Sequence, residues 1–306
     1  MKILSICSHD HANFSHDFAN ALTHSGSRCD DFKLHPHTFG YPSQSQLIRR
    51  EQVPQIVKNY DVVMIQHSCE ASLKLVLKGK PKRLFVFHTG SLYRQGSDRL
   101  NAIFNPHVEK SFIALGEFAG LGAKNEIYSV GAIDTERLAP TKSGISTPLS
   151  IMHLPSKPAV KGTSTILEMM GQLTGSFDFQ YKLDSCPYQE NLDLMQESDI
   201  YIELFAPEQL GKPYGSWGIT ALEAAAMGKV VITQHLNHEA YTEAYGRWPC
   251  LYTCIDEENF KTKVQLLIDY PEEVIKSQKR TLAWVKKYHS YQATGQRLRK
   301  LFEIKS

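Results

Sequence analysis

Residues 215–233 constrain this chain more than any other stretch: Gly-Ser-Trp-Gly-Ile-Thr-Ala-Leu-Glu-Ala-Ala-Ala-Met-Gly-Lys-Val-Val-Ile-Thr. Glycines, then helix formers, then Gly228 and a β-branched run predict a loop, a helix, a cap and a buried strand. With the helix starting near Gly218, the residues Ile219, Leu222, Ala226 and Met227 share an apolar stripe, and Glu223 lies inside it. A carboxylate placed there needs a partner, whether a neighbouring lysine, backbone N–H groups or a ligand.

The chain has 306 residues, 42% of them hydrophobic, enough for two α/β domains. Basic side chains number 34 and acidic ones 32, a net charge of +2, so no global field recruits nucleic acid or an anionic membrane. An anionic ligand has to be held locally. Cys7, Cys29, Cys69, Cys186, Cys250 and Cys254 form no C-x-x-C pair, and no basic-plus-apolar signal segment opens the chain. The expectation is a reducing, cytoplasmic setting. No apolar run reaches the length of a membrane span, which leaves peripheral contact at the inner face of a membrane open.

Residues 2–6 read as a strand, and Phe14, Phe18, Ala21 and Leu22 mark an amphipathic helix ending at Gly26. The loop between them carries Ser8, His9, Asp10, His11 and Asn13 at a strand's carboxyl end, where open α/β sheets bind ligands. Strands are further predicted at 61–66, 83–87, 111–115 and 126–130, with helices at 69–77 and, broken around Pro106, at 98–110. Residues 140–148 have the composition of a linker. Beyond them, strands at 149–153, 177–183 and 199–204 alternate with helices at 163–173 and 189–196. Two mostly parallel, doubly wound sheets follow from this alternation, and the helix-rich tail 271–304 should pack on the outside.

Three constellations carry chemistry. His153 to Thr163 runs from a strand end to a helix start with Lys157, Lys161 and Gly162, a combination of N–H groups, helix dipole and full charge that attracts phosphate. His88, Gly90, Ser91 and Arg94 sit just past another strand, His88 suited to a sugar hydroxyl or a proton and Arg94 to a phosphate. No further ligand at metal spacing accompanies the cluster His9, Asp10 and His11, and the chain has no Asp-x-Asp, so no dedicated metal site is expected. There is no G-x-S-x-G, no G-x-x-x-x-G-K-[ST] and no G-x-G-x-x-G after a strand. The run Lys74, Lys78, Lys80, Lys82, Arg83 is ordinarily a solvated helix end, and otherwise suits a membrane surface or a nucleic-acid backbone.

The pattern G-x-x-x-L-E-A-x-A-x-G-K-x-V-I, with Asp199-Ile200 upstream, resembles the donor-binding segment of retaining GT-B glycosyltransferases of the GT4-like group. Residues 129–138 look like that family's closing segment of the first domain, and residues 153–163 like the opening loop of its second. The resemblance implies an α/β GT-B fold: two Rossmann-like doubly wound domains facing a central cleft. The first, acceptor-side domain would span residues 1–142, with a C-terminal helix of about 288–306 packing back on it, and the donor domain 149–287.

It further implies a hexosyl- or glycosyltransferase (EC 2.4 class) that moves a sugar from a nucleoside diphosphate, UDP favoured, to an acceptor hydroxyl, with retention and without metal or other cofactor. Glu223 would take the ribose hydroxyls and Lys161 the pyrophosphate, with Lys157, Gly215, Ser216, Trp217, Gly218, Ile219, Thr220 and Leu222 around the donor. His88, Asp10 and His9 would stand at the reaction centre; Arg94, Ser91, His11 and Asn13 would face acceptor or phosphate. Two departures stand out: Gly215 occupies the place of the first Glu of the family's E-x7-E, and Pro155 that of its phosphate-binding Arg. Alternatives are an inverting transferase, a sugar-nucleotide epimerase, or a catalytically silent sugar-nucleotide binder. The acceptor (glycan, lipid-linked sugar, protein, small molecule or modified DNA base) and the oligomeric state have no readable code.

Overall fold

The structure, a computed structural model, describes residues 1–37, 39–209, 212–215, 217–235 and 237–302. Ser216 lies outside the described residues, as does the end of the expected C-terminal helix, 303–306. The chain divides into two compact units, Met1–Ile133 with His289–Ser306, and Asp134–Tyr288.

The first unit is a parallel sheet of β1 (Lys2–Cys7), β2 (Arg28–Lys33), β3 (Gln46–Leu47), β4 (Val62–Gln66), β5 (Leu84–His88), β6 (Lys110–Ile113) and β7 (Ile127–Tyr128), in the order β3-β2-β1-β4-β5-β6-β7. Its crossovers hold α1 (Phe14–His24), α2 (Val53–Val57), α3 (Glu70–Lys78) and α4 (Gly90–Phe104). β4 and β5 are buried at every position because both faces are covered, hence their unbroken apolar runs. The sequence reading passed over β2, whose Arg-Cys-Asp-Asp-Phe-Lys shows no apolar period: it lies near the sheet edge, half-buried, with Asp30 accepting from the Tyr60 hydroxyl at 2.8 Å. α4 begins at Gly90, directly after β5, rather than at 98. Two glycines disguised its start, Gly90 at φ +67° and the non-helical Gly96 inside it.

The second unit has the parallel order β14-β13-β10-β8-β9, formed by β8 (Leu149–His153), β9 (Phe177–Tyr181), β10 (Ile200–Leu204), β13 (Val230–Gln234) and β14 (Tyr252–Cys254). A small antiparallel ribbon, β11 (Glu208–Gln209) and β12 (Lys212–Pro213), follows β10. The helices are α5 (Pro158–Lys161), α6 (Thr163–Met170), α7 (Tyr188–Glu197), α8 (Ile219–Ala226), α9 (His238–Tyr245), α10 (Glu257–Asp269) and α11 (Pro271–His289). α8 is buried from Ala221 to Ala226 on every side, where an apolar stripe had been expected. The alanines let it lie close to β10 and β13. Gly228, at φ +71°, ends it as expected, with the Lys229 N–H bonding back to the Ala224 carbonyl at 2.9 Å. Each unit is thus a parallel sheet whose strands are joined through helices, the α/β class that the sequence predicts.

The last helix, α12 (Tyr291–Leu301), belongs to the first unit, where it packs on α1. Ile133 donates to the His289 carbonyl at 2.9 Å and accepts from the Tyr291 N–H at 3.1 Å, and Tyr291 donates to Asp17 at 2.5 Å. Among the described residues no helix is long and apolar enough to cross a membrane. The α1–α12 contact depends on a missing side chain: a Cβ at Gly295 would stand 1.9 Å from the Ala21 carbonyl oxygen and 2.8 Å from the Ser25 Cβ. Gly295→Ala should therefore cost about 3 kcal/mol of stability, read as a lower midpoint in urea unfolding. Wild-type stability in this variant would mean that the helices slide apart without loss.

Candidate functional site

The second unit gathers its polar groups where strand ends meet helix starts. His153 closes β8, wholly buried: Nδ1 donates to the Ile202 carbonyl at 2.8 Å, which leaves Nε2 to accept from the Thr163 hydroxyl at 2.9 Å. Burial pushes its pKa down to about 4, so this ring is a neutral strut between β10 and the start of α6. Lys157 caps α5 and is exposed; Lys161 ends that helix. Gly162 follows at φ +69°, and a Cβ there would meet the Phe205 carbonyl oxygen at 1.8 Å, so only glycine lets the turn touch the end of β10. The Lys161 carbonyl accepts from the Phe205 N–H at 3.1 Å.

That contact delivers the Lys161 ammonium to Glu203, a residue that the sequence reading did not single out. The Glu203 side chain is wholly buried in β10, forms an ion pair with Lys161, and accepts from the Gly218 N–H at 3.2 Å and from the Thr220 hydroxyl. Burial pushes its carboxyl up, but the Lys161 charge and these three donors outweigh burial and hold it below the ordinary glutamate value. Its signal was the one that exposed Glu223: an acid inside an otherwise apolar run, Ile-Tyr-Ile-Glu-Leu.

Glu223 lies just over one turn into α8, nearly without exposed surface. The Tyr188 hydroxyl donates to its Oε1 at 2.8 Å, and Arg137 donates to the Tyr188 oxygen at 2.9 Å while lying over the ring. Neither Tyr188 nor Arg137 was foreseen, since nothing local in the sequence connects them to Glu223.

Around these groups Gly218, Ile219 and Thr220 are half-buried at the start of α8, and Leu222 is core. Trp217 stacks on Trp284 with centroids 5.2 Å apart and meets Tyr241 edge-on, so it belongs to an aromatic cluster of this unit. Gly215 has φ +68°, and its carbonyl accepts from Gln234 Nε2 at 3.1 Å. A side chain there would be strained and would press on that amide, 3.2 Å from the Cβ position.

In the first unit, Asp10 is buried at the start of α1. It accepts from the Ser15 N–H at 2.7 Å, the His16 N–H at 3.1 Å and the Ser45 hydroxyl at 3.0 Å, with His67 Nε2 at 3.7 Å. Burial raises its carboxyl, yet His67 and these donors bring it below the usual range. His9 and His11 are exposed; His9 stacks on His35 at 4.3 Å, and His11 meets His67 edge-on at 5.3 Å. Ala12 and Asn13 in this loop, and His67 and Ser68 after β4, all have positive φ, and Asn13 donates to the Ser43 carbonyl at 3.1 Å.

His88 is wholly buried, stacked on Tyr93 at 4.1 Å, with Nδ1 2.7 Å from the Ser68 hydroxyl; burial pushes its pKa down to about 3. Ser91 is exposed, and Arg94 pairs with the buried Glu117 carboxylate and lies over Phe118. In the basic run, Lys74 pairs with Glu70, Lys82 with Asp61 and Arg83 with Glu109, each within 2.9 Å, which weakens its field toward an anion. Among the described residues no three His, Cys, Asp or Glu side chains are arranged to hold a metal ion.

No protein-family model matches the sequence, and no curated protein matches it. Solved structures do. The chain resembles HepE of Anabaena in complex with UDP and glucose (TM-score 0.72, 12% identity, all of both chains covered). It also resembles an alpha-glucosyltransferase in complex with UDP and a 13-mer DNA (TM-score 0.70, 13% identity, 99% of this chain and 98% of that one). The sucrose-phosphate synthase of Thermosynechococcus elongatus is similar as well (TM-score 0.65, 10% identity, 99% and 98%). At such identities the likeness is one of fold.

Burial, first, and then Glu203 push the Glu223 carboxyl from an ordinary 4.5 up to about 7, against Tyr188 and Arg137. The folded chain thus keeps a proton that the unfolded chain releases. The stability it contributes is full below pH 4.5 and is lost as pH rises through about 7, a change of about 3 kcal/mol. Glu223→Gln, which cannot ionise, should match wild type near the acid end and be more stable than wild type at about pH 8. Calorimetric melts of both proteins across that range test this, and parallel curves would mean that Glu223 is ionised throughout.

Proposed function

We propose that the chain is a glycosyltransferase that moves a sugar from a nucleoside diphosphate, UDP favoured, to an acceptor hydroxyl with retention, using no metal or cofactor. The observation that carries this reading is Glu223, a buried carboxylate one turn behind the half-buried start of α8, where Gly218, Thr220 and Lys161 bring three kinds of donor together. A nucleotide laid on this helix end meets donors at its phosphates and an acceptor at its ribose. Glu223 takes the ribose hydroxyls, Lys161 and the N–H groups at the helix start take the departing diphosphate, and Lys157 adds charge at the rim.

The GT-B fold supports this reading, as do the UDP and glucose bound by HepE and the UDP bound by the alpha-glucosyltransferase. Retention by front-face attack asks for no protein nucleophile, and it agrees with an Asp10 whose oxygens already serve α1, Ser45 and His67. The loop residues His9, His11 and Asn13, with Ser91, face the acceptor. Membership of the GT4-like group and a cytoplasmic setting belong to the same reading. A catalytically silent binder is the second reading, favoured by Gly215, which has no carboxylate where the first Glu of the family's E-x7-E would reach the sugar.

Incubation with a panel of nucleotide sugars and simple acceptors should release nucleoside diphosphate, with the product keeping the donor's anomeric configuration by NMR and activity surviving EDTA. Glu223→Ala should weaken nucleotide binding by roughly ten- to a hundredfold. Binding without release would favour the silent reading. Neither binding nor release with any donor would overturn both.

A further inference from the structure

Three of the donors that the second unit offers an anion are already turned toward one. The Lys161 ammonium, the Gly218 N–H and the Thr220 hydroxyl come from the end of α5, the loop before α8 and the first turn of α8, and they converge on the two oxygens of Glu203. The pair closes tightly on Gly218, where a Cβ would stand 3.0 Å from Glu203 Oε1 and 3.6 Å from Lys161 Nζ. Lys161 keeps 17% of its side chain exposed while Glu203 shows none, so an arriving anion meets the donors from outside and the carboxylate behind them.

We propose that Glu203 is a positioning residue that occupies the place of the donor's phosphate oxygens in the empty molecule, so that a pyrophosphate group binds by taking Lys161, Gly218 and Thr220 away from it. The identity of that anion rests on the nucleotide-sugar reading above. The carboxylate keeps the three donors aimed at one point before substrate arrives, and it compensates Lys161 meanwhile. Its cost is repulsion: a diphosphate and a carboxylate a few ångströms apart in a site of low dielectric oppose each other strongly. A residue that merely propped Lys161 would aid anion binding; a residue that holds the anion's place opposes it.

Inorganic pyrophosphate and UDP, titrated calorimetrically onto the full chain, separate the two. Glu203→Gln should bind pyrophosphate about tenfold more tightly than wild type, and adding Lys161→Met should abolish the gain. Glu203→Asp, which draws the charge back by one methylene, should give a smaller gain and serves should the glutamine variant fail to fold. Unchanged or weaker pyrophosphate binding in these variants overturns the proposal, as does a gain that survives loss of Lys161. UDP binding that depends on Glu223 but not on Glu203 overturns it too while leaving the nucleotide reading intact. A pyrophosphate gain with no preference for UDP over pyrophosphate upholds it and removes the nucleotide reading.

Discussion

Burying an ionised carboxylate such as Glu203 costs several kcal/mol unless charge and hydrogen-bond donors are brought to it, and much of the second unit's site is the means of bringing them. Lys161 reaches it only because the turn at Gly162 lies against the end of β10, closer than any side chain at that position permits. Gly218 brings its N–H to the same oxygens, and a Cβ there would press on Glu203 Oε1 at 3.0 Å. His153, held neutral by burial, fixes the neighbouring strand end to the start of α6. The glycines and the histidine of this region thus answer one electrostatic demand.

The two acids of the second unit solve the same problem in opposite ways. Glu203 has a full positive charge beside it and stays ionised. Glu223 has a phenol in contact and a guanidinium only behind that phenol, so its proton is held far more firmly. One strand and one helix therefore present a fixed negative group and a titrating one side by side, each with a different chemical use.

What was legible in the sequence was what depends on neighbours along the chain. Buried strands such as β4, β8 and β13 announced themselves as apolar runs, and Gly228 marked the end of α8. Glu223 stood out because a charge interrupts an apolar stripe, and Lys161 because it lies between a strand end and a helix start. The missing parts depend on distance along the chain. Tyr188 is 35 residues from Glu223 and Glu203 is 42 from Lys161, so each pairing exists only once the sheet is assembled. β2 was lost because a half-buried strand near the sheet edge needs no apolar period, and the stacking of Trp217, which the resemblance placed around the donor, on Trp284 joins distant parts of the chain.

Asp10 gives the first unit a property that its sequence does not advertise. The opening turn of α1, by its dipole a place of partial positive charge, is neutralised by a residue of its own loop. The exposed residues of that loop include His9 and His11, whose rings lie 5.9 Å apart and nearly parallel. Burial pushes the pKa of His9 down and that of His11 down to about 4, so the loop offers neutral imidazole rings where a helix dipole would otherwise lie open.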